Sequence, residues 1–226
     1  MRRYMRATKD GSNAIMQLKR SILSVGIGML LITPTFGQSK FTFAVGGGPT
    51  VPGKYTGRNF NTGFNLTAGV GYHPIPAFGL MGEFGFNNMN IATAALQRIG
   101  VPDGSGRIYS VTLNPIVHLN PRGRMDVYLI GGAGYYRRTI EFTQPSSAIA
   151  TAFDPFYGIF FPVEIPTTTV LSSYSQNKGG INGGAGIAIR FGEDTRSSFF
   201  AESRYHYIWT SPVRTAMIPV TFGFRW

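Results

Sequence analysis

From residue 40 to the end of the chain, apolar residues alternate with polar or small ones at a period of two. This marks extended strands whose two faces meet different surroundings. The last run is the clearest: Trp226, Phe224, Phe222, Val220 and Ile218 alternate with Arg225, Gly223, Thr221 and Pro219. Phe41, Phe43 and Val45 alternate with Lys40, Thr42 and Ala44, and Phe64, Leu66, Ala68, Val70 and Tyr72 with Asn65, Thr67, Gly69 and Gly71. Phe78, Leu80, Phe84 and Phe86 face away from Met81 and Glu83. Tyr109, Val111, Leu113, Val117 and Leu119 face away from Ser110, Thr112, Asn114 and His118. Two glycine-rich strands are predicted near 124–142 and 180–192. A seventh, near 198–208, sets Phe199, Ala201, Tyr205 and Tyr207 against Glu202, Arg204 and His206.

The connections sort by length. Pro74-Ile75-Pro76, Pro121-Arg122-Gly123 and the segment 193–197 make short turns, with proline and glycine where turns need them. Longer links at about 49–60, 88–105, 143–179 and 209–216 alternate with them, which puts both ends of the strand array on the short-turn side. Membrane barrels have short turns at one end and longer loops at the other, and a soluble sandwich has no reason to sort its loops so. The predicted fold is all-β, an eight-stranded antiparallel up-and-down transmembrane β-barrel with its apolar face toward lipid and its polar face inward. Each strand is near or above the ~9–11 residues a tilted membrane strand needs.

The first 37 residues read as an export leader. Arg2, Arg3, Arg6, Lys9, Lys19 and Arg20 stand against the lone Asp10. An apolar run from Ile22 to Ile32 follows, then Thr33-Pro34-Thr35-Phe36-Gly37, with small residues before a cut after Gly37. The run is too short for a membrane helix, which needs about 20 residues. Met16 is an alternative start. The expected layout is a signal peptide over 1–37 and a barrel domain over 38–226.

Composition changes this picture little. The net charge of +11 invites a nucleic-acid reading, but six of the 21 basic residues and one of the ten acidic ones precede the cut. The mature chain carries 15 basic against 9 acidic residues, scattered over strands and loops, and no nucleic-acid partner is expected. With no cysteine there is neither a disulfide scaffold nor a thiolate metal site. Thirty glycines, 18 phenylalanines and 11 tyrosines suit curved strands and aromatic girdles.

The ending Ile218-Pro219-Val220-Thr221-Phe222-Gly223-Phe224-Arg225-Trp226, the preceding Glu202-x-Arg204-x-His206 and the strand Gly131-Gly132-Ala133-Gly134-Tyr135 carry a resemblance. Over about 40–226 the chain resembles the outer-membrane protein β-barrel domain family, the OmpA- and OmpX-like eight-stranded barrels. The resemblance implies export to the bacterial outer membrane, lipid and lipopolysaccharide as neighbours, and an insertion machinery that reads the closing strand through Val220, Phe222, Phe224 and Trp226. It specifies the architecture and not an activity, since family members include adhesion, stress-resistance and envelope-anchoring proteins. Pro219 departs from the pattern, because its missing N–H costs a ladder bond, and is read as a bulge.

Eight strands leave an interior just wide enough for side chains. Parity places Lys40, Thr42, Asn65, Thr67, Glu83, Ser110, Thr112, Asn114, Arg190, Glu202, Arg204, His206 and Arg225 there. Buried charges must pair. Glu83 and Glu202 are therefore expected to pair with some of Arg190, Arg204 and Arg225, with His206 in the same network. A narrow channel for small or apolar solutes is the alternative use of these residues.

The glycine runs Gly46-Gly47-Gly48, Gly131-Gly132 and Gly183-Gly184 lack the following helix a phosphate loop requires, so close packing is their expected role. His73, His118 and His206 show no metal-ligand spacing, and no metal or cofactor is expected. Lipid A deacylases use a lipid-facing His-x-Ser pair; here Ile208 follows His206, so no enzyme is expected, although lipid modification stays open. The long loop 143–179 is the expected place for an extracellular ligand. Its aromatics Phe153, Phe156, Tyr157, Phe160 and Phe161 form an interaction patch, or else extend the hairpin or cover the barrel mouth. Pro145, Pro155, Pro162 and Pro166 argue against one uninterrupted strand pair there.

Overall fold

The computed structural model describes residues 40–54, 56–192 and 197–226. The expected leader over 1–37 and the alternative start at Met16 lie outside them. Eight strands, β1 (Phe41–Pro52), β2 (Gly63–Ile75), β3 (Phe78–Asn90), β4 (Asp103–His118), β5 (Met125–Asp154), β6 (Ile159–Arg190), β7 (Ser198–Ile208) and β8 (Thr215–Arg225), pair in sequence order and close into a barrel. Every neighbouring pair is antiparallel, including β1 with β8. No helix among the described residues is long and apolar enough to cross a membrane.

The alternation read from the sequence is the inside–outside alternation of the wall. Leu66, Val70, Phe84, Val111, Leu113, Tyr205, Phe222 and Phe224 are exposed on the outer face, while Asn65, Thr112, Asn114, Glu202, Arg204 and Arg225 are buried inside. Outer-face aromatics gather toward the two rims. Phe41 with Tyr72, Phe43 with Trp226, and Phe199 with Phe224 meet at the turn end. Phe64, Phe86 and Tyr109 meet at the loop end.

The interior is layered. Ala44, Met81, Ile116, Tyr128, Ile130, Ala188 and Phe200 form an apolar cluster toward the turns. Met89, Ile108, Tyr136, Ile208 and Met217 form another toward the loops, with Phe60 packed on it. A charged polar layer with Glu83, Asn114, Glu202 and Arg204 lies between, while further buried polar residues lie beyond it, among them Asp126 and Arg225 toward the turns and Thr210 and Thr215 toward the loops. A wholly polar lining was expected, but even periods also bring large apolar residues inward, and they close off the polar layer at both ends.

Four sequence expectations need correction. Lys40 lies just before β1 and is exposed, not interior. The link expected over 88–105 is shorter, because β3 runs to Asn90 and β4 starts at Asp103. Helix α1 (Thr93–Ile99) lies in that link and buries Leu96. It ends at Gly100, whose left-handed backbone (φ 67°) suits glycine. Pro219 makes no bulge: Thr50 opposite Pro219 and Val51 opposite Ile218 keep the register of Gly47 opposite Phe222. Instead the Asn65 side-chain amide caps the loosened seam. It donates to the carbonyls of Gly48 (3.0 Å), Pro49 (3.0 Å) and Val220 (3.2 Å) and accepts from the Thr221 hydroxyl (2.9 Å).

The largest correction concerns loop 143–179. It is an uninterrupted strand pair, from Gln144 opposite Thr169 to Asp154 opposite Ile159. The pairs Pro145–Thr168, Ser147–Pro166 and Thr151–Pro162 all fall in the same alternation class. N–H groups two apart on a strand point the same way, so each of these three prolines lacks the N–H that faces the free edge. The proline rule applies to ladders paired on both sides, and this ribbon has a single partner per strand. Pro155 sits in the tip turn, closed by Gly158 (φ 65°), whose N–H reaches the Asp154 carbonyl at 2.8 Å.

Candidate functional site

Two places gather unusual chemistry: the polar layer inside the barrel and the tip of the β5–β6 hairpin.

In the polar layer, Glu83 of β3 and Glu202 and Arg204 of β7 meet. Arg204 Nη2 donates to Glu83 Oε1 at 2.6 Å, and its Nη1 and Nε reach Glu83 and Glu202. All three side chains are at most 9% exposed. β3 and β7 stand four strands apart in the ring of eight, so these charges project inward from opposite sides of the wall and meet across a narrow interior. Asn114 extends the network: its amide donates to Glu83 and to the Thr112 hydroxyl (2.9 Å), and its oxygen accepts from Asn182 (2.9 Å). His206 Nδ1 lies 3.0 Å from the Tyr136 hydroxyl, with the two rings edge to face. A cavity of about 20 Å³, room for about one water, is lined by Glu83, Thr112, Glu202, Arg204, His206 and Thr221.

Two arginines expected in this network are elsewhere. Arg190 sits at the end of β6 and donates to the Pro121 carbonyl at a turn. Arg225 is buried, but its guanidinium stacks 4.7 Å from the Tyr128 ring centroid and 5.1 Å from that of Phe200. Its Nε and Nη1 have no hydrogen-bond partner among the described residues. Parity fixes which face a residue takes but not its height along the barrel, and Arg225 lies in the apolar layer below the carboxylates.

The closing-strand residues Phe222 and Phe224 project outward from β8, and Trp226 exchanges backbone hydrogen bonds with Phe43 across the closure (2.8 and 3.0 Å).

The hairpin leaves the wall where β5 loses β4, after Asp103 opposite Thr143, and where β6 has not yet met β7, before Gly180 opposite Ile208. The two-stranded ribbon from Thr143 to Asp154 projects by roughly 40 Å at ~3.3 Å per residue. Its tip is apolar and bare: Phe156 is 94% exposed, Tyr157 79% and Phe160 72%, with Ile149, further down the ribbon opposite Glu164, exposed as well. Phe153 packs on Phe160 at 5.0 Å, and Asp154 caps the turn by accepting from the Phe156 N–H at 2.8 Å. Phe161, at 40%, is the least exposed of the five aromatics. The aromatics thus extend the hairpin and do not cover the mouth, where Phe60, Ile91 and Leu96 pack instead.

Sequence spacing missed one constellation. At the turn end His73 and His118, 45 residues apart, face each other through Nε2 at 3.2 Å, and His118 Nδ1 is held by Asp126.

Comparison with known proteins places the fold. A family model described as the outer membrane protein beta-barrel domain matches residues 23–225. Neisserial surface protein A superposes with a TM-score of 0.52 at 14% identity, over 84% of this chain and 98% of that one. The attachment invasion locus protein Ail of Yersinia pestis, solved in complex with the heparin analogue sucrose octasulfate, gives 0.47 at 20% identity, over 82% and 97%. No curated protein sequence matches.

Proposed function

Because this chain belongs to the outer membrane protein β-barrel domain family, we propose that it works as an exported, membrane-embedded interaction protein whose binding element is the β5–β6 hairpin. The barrel is the mount. Its outer face meets lipid and lipopolysaccharide, and its closing strand, through Val220, Phe222, Phe224 and Trp226, is what the insertion machinery reads. The interior charges hold the wall together rather than conduct or catalyse, since apolar layers lie on both sides of them.

The observation that carries this reading is the bare aromatic tip, held roughly 40 Å beyond the wall by a ribbon of ~3.3 Å per residue. Large exposed apolar groups cost solubility and mark interaction sites. Between residues 143 and 177 the hairpin carries only Asp154 and Glu164 as charges, so an apolar surface suits it better than a polyanion.

Cells expressing the chain should partition into hexadecane more than cells carrying the triple change Phe156→Ser, Tyr157→Ser, Phe160→Ser. Equal partitioning at equal surface amounts of folded barrel would contradict the reading.

A further inference from the structure

The turn end of the barrel holds a side-chain arrangement that neither the interior network nor the hairpin uses. His73 lies at the end of β2, where the register slips between Tyr72 opposite Leu80 and Ile75 opposite Phe78. The imidazole keeps the inward parity of Asn65 and Gly71, since the His73 N–H still meets the Lys40 carbonyl in the regular β1–β2 register. The ring lies over bare backbone: a Cβ on Gly79 would come 2.6 Å from His73 Nε2, and one on Gly71 would come 3.2 Å from its Cε1. Its Nδ1 is 3.3 Å from the Thr42 hydroxyl. His118, near the end of β4, approaches from the other side. Its Nδ1 is engaged by one Asp126 oxygen, and the other Asp126 oxygen accepts the Asn120 N–H at 3.1 Å.

The tautomers follow from these partners. In the tautomer that donates from Nδ1 to the Asp126 carboxylate, His118 presents the lone pair of Nε2. The Thr42 hydroxyl donates or accepts by rotation. When it donates, His73 carries its proton on Nε2 and bonds to His118. When it accepts, His73 carries its proton on Nδ1, and two lone pairs then face each other across 3.2 Å. The first state is an ordinary hydrogen bond; a cation shared by both nitrogens would select the second.

We infer that His73 and His118 form a two-imidazole site for a borderline divalent transition-metal ion at the turn end of the barrel. At a metal–nitrogen distance of ~2.0–2.1 Å, tetrahedral ligation sets two imidazole nitrogens roughly 3.3 Å apart, so the rings need hardly move. A carboxylate on the far nitrogen of a ligating histidine is the usual support of such sites; Asp126 supplies it for His118, and Thr42 plays the same part for His73. No group of three or more His, Asp or Glu side chains able to hold a metal forms among the described residues, so water fills the remaining positions. The tetrahedral spacing suits Zn²⁺, while by donor affinity Cu²⁺ binds imidazole at least as tightly and serves as the spectroscopic probe; oxygen-seeking Mg²⁺ and Ca²⁺ are excluded. This site is independent of the hairpin reading and stands or falls without it.

The test uses the untagged mature barrel folded in detergent micelles and titrated with CuCl₂. Binding is followed by calorimetry, and the ligands by electron paramagnetic resonance. One ion per barrel with a two-nitrogen splitting is expected. His73→Gln and His118→Gln should each weaken binding at least tenfold and remove that splitting. Asp126→Asn should weaken it by ~10–100-fold while both nitrogens remain. Unchanged heat-dependent gel mobility shows that each variant folds. No binding at about 100 μM Cu²⁺, or binding that neither histidine change affects, would overturn the assignment.

Discussion

Replacing Arg204 with methionine keeps much of the side-chain volume and removes the cation that Glu83 and Glu202 share. At about 4 Å between charge centres and an effective dielectric of about 20, each attraction amounts to roughly 4 kcal/mol before desolvation is counted. Desolvating the three groups offsets most of that in the intact network. Removing one partner leaves the other charges buried and unmatched, which costs about 3–5 kcal/mol. Asn114 still donates to Glu83, but a neutral amide does not replace a guanidinium. The sharper expectation concerns the triple variant Arg204→Met, Glu83→Gln, Glu202→Gln. With no charge left in the layer, it should regain stability to within about 1 kcal/mol of the native barrel, as neutral replacements of buried ion pairs do. Urea titration of barrels folded into lipid vesicles measures both, with the folded fraction read from unboiled gel mobility and from Trp209 and Trp226 fluorescence. A single variant that loses less than about 1 kcal/mol, or a triple variant no better than the single, would refute the idea that the three charges form one buried unit.

Charging the lipid face by Leu113→Arg should cost about 2–4 kcal/mol if the site lies near the bilayer midplane, while its interior neighbour Thr112→Asn should cost less in the same titration; equal losses would contradict the face assignment. The adjacent glycines 183 and 184 should behave oppositely: an added Cβ at Gly183 meets nothing within 4 Å, whereas one at Gly184 falls 2.0 Å from the Ser203 carbonyl oxygen. Gly183→Ala should therefore be near neutral and Gly184→Ala should cost about 1–3 kcal/mol.

Strand number, face assignment and closure were legible in the sequence because a period of two admits one reading once one face must be apolar. The pairing of Glu83 with Arg204 followed from the same parity and the need to match buried charge. Height along the barrel was not legible, which is why Arg225 was expected beside the carboxylates although it stacks on Tyr128 and Phe200. The hairpin was obscured because three of its prolines were judged by a rule for strands paired on both sides. Only the observed register shows Pro145, Pro162 and Pro166 in one alternation class. The pairing of His73 with His118, both set aside on spacing, is not legible for a topological reason: the β2–β3 hairpin and the β3–β4 pairing bring their strand ends together at one rim, and no local spacing records that.

Envelope fractionation followed by gel electrophoresis with and without boiling bears most directly on the claim that this chain is a closed membrane barrel. The account predicts that it sediments with the outer membrane and migrates differently before and after boiling. A soluble periplasmic protein with a single mobility would contradict it.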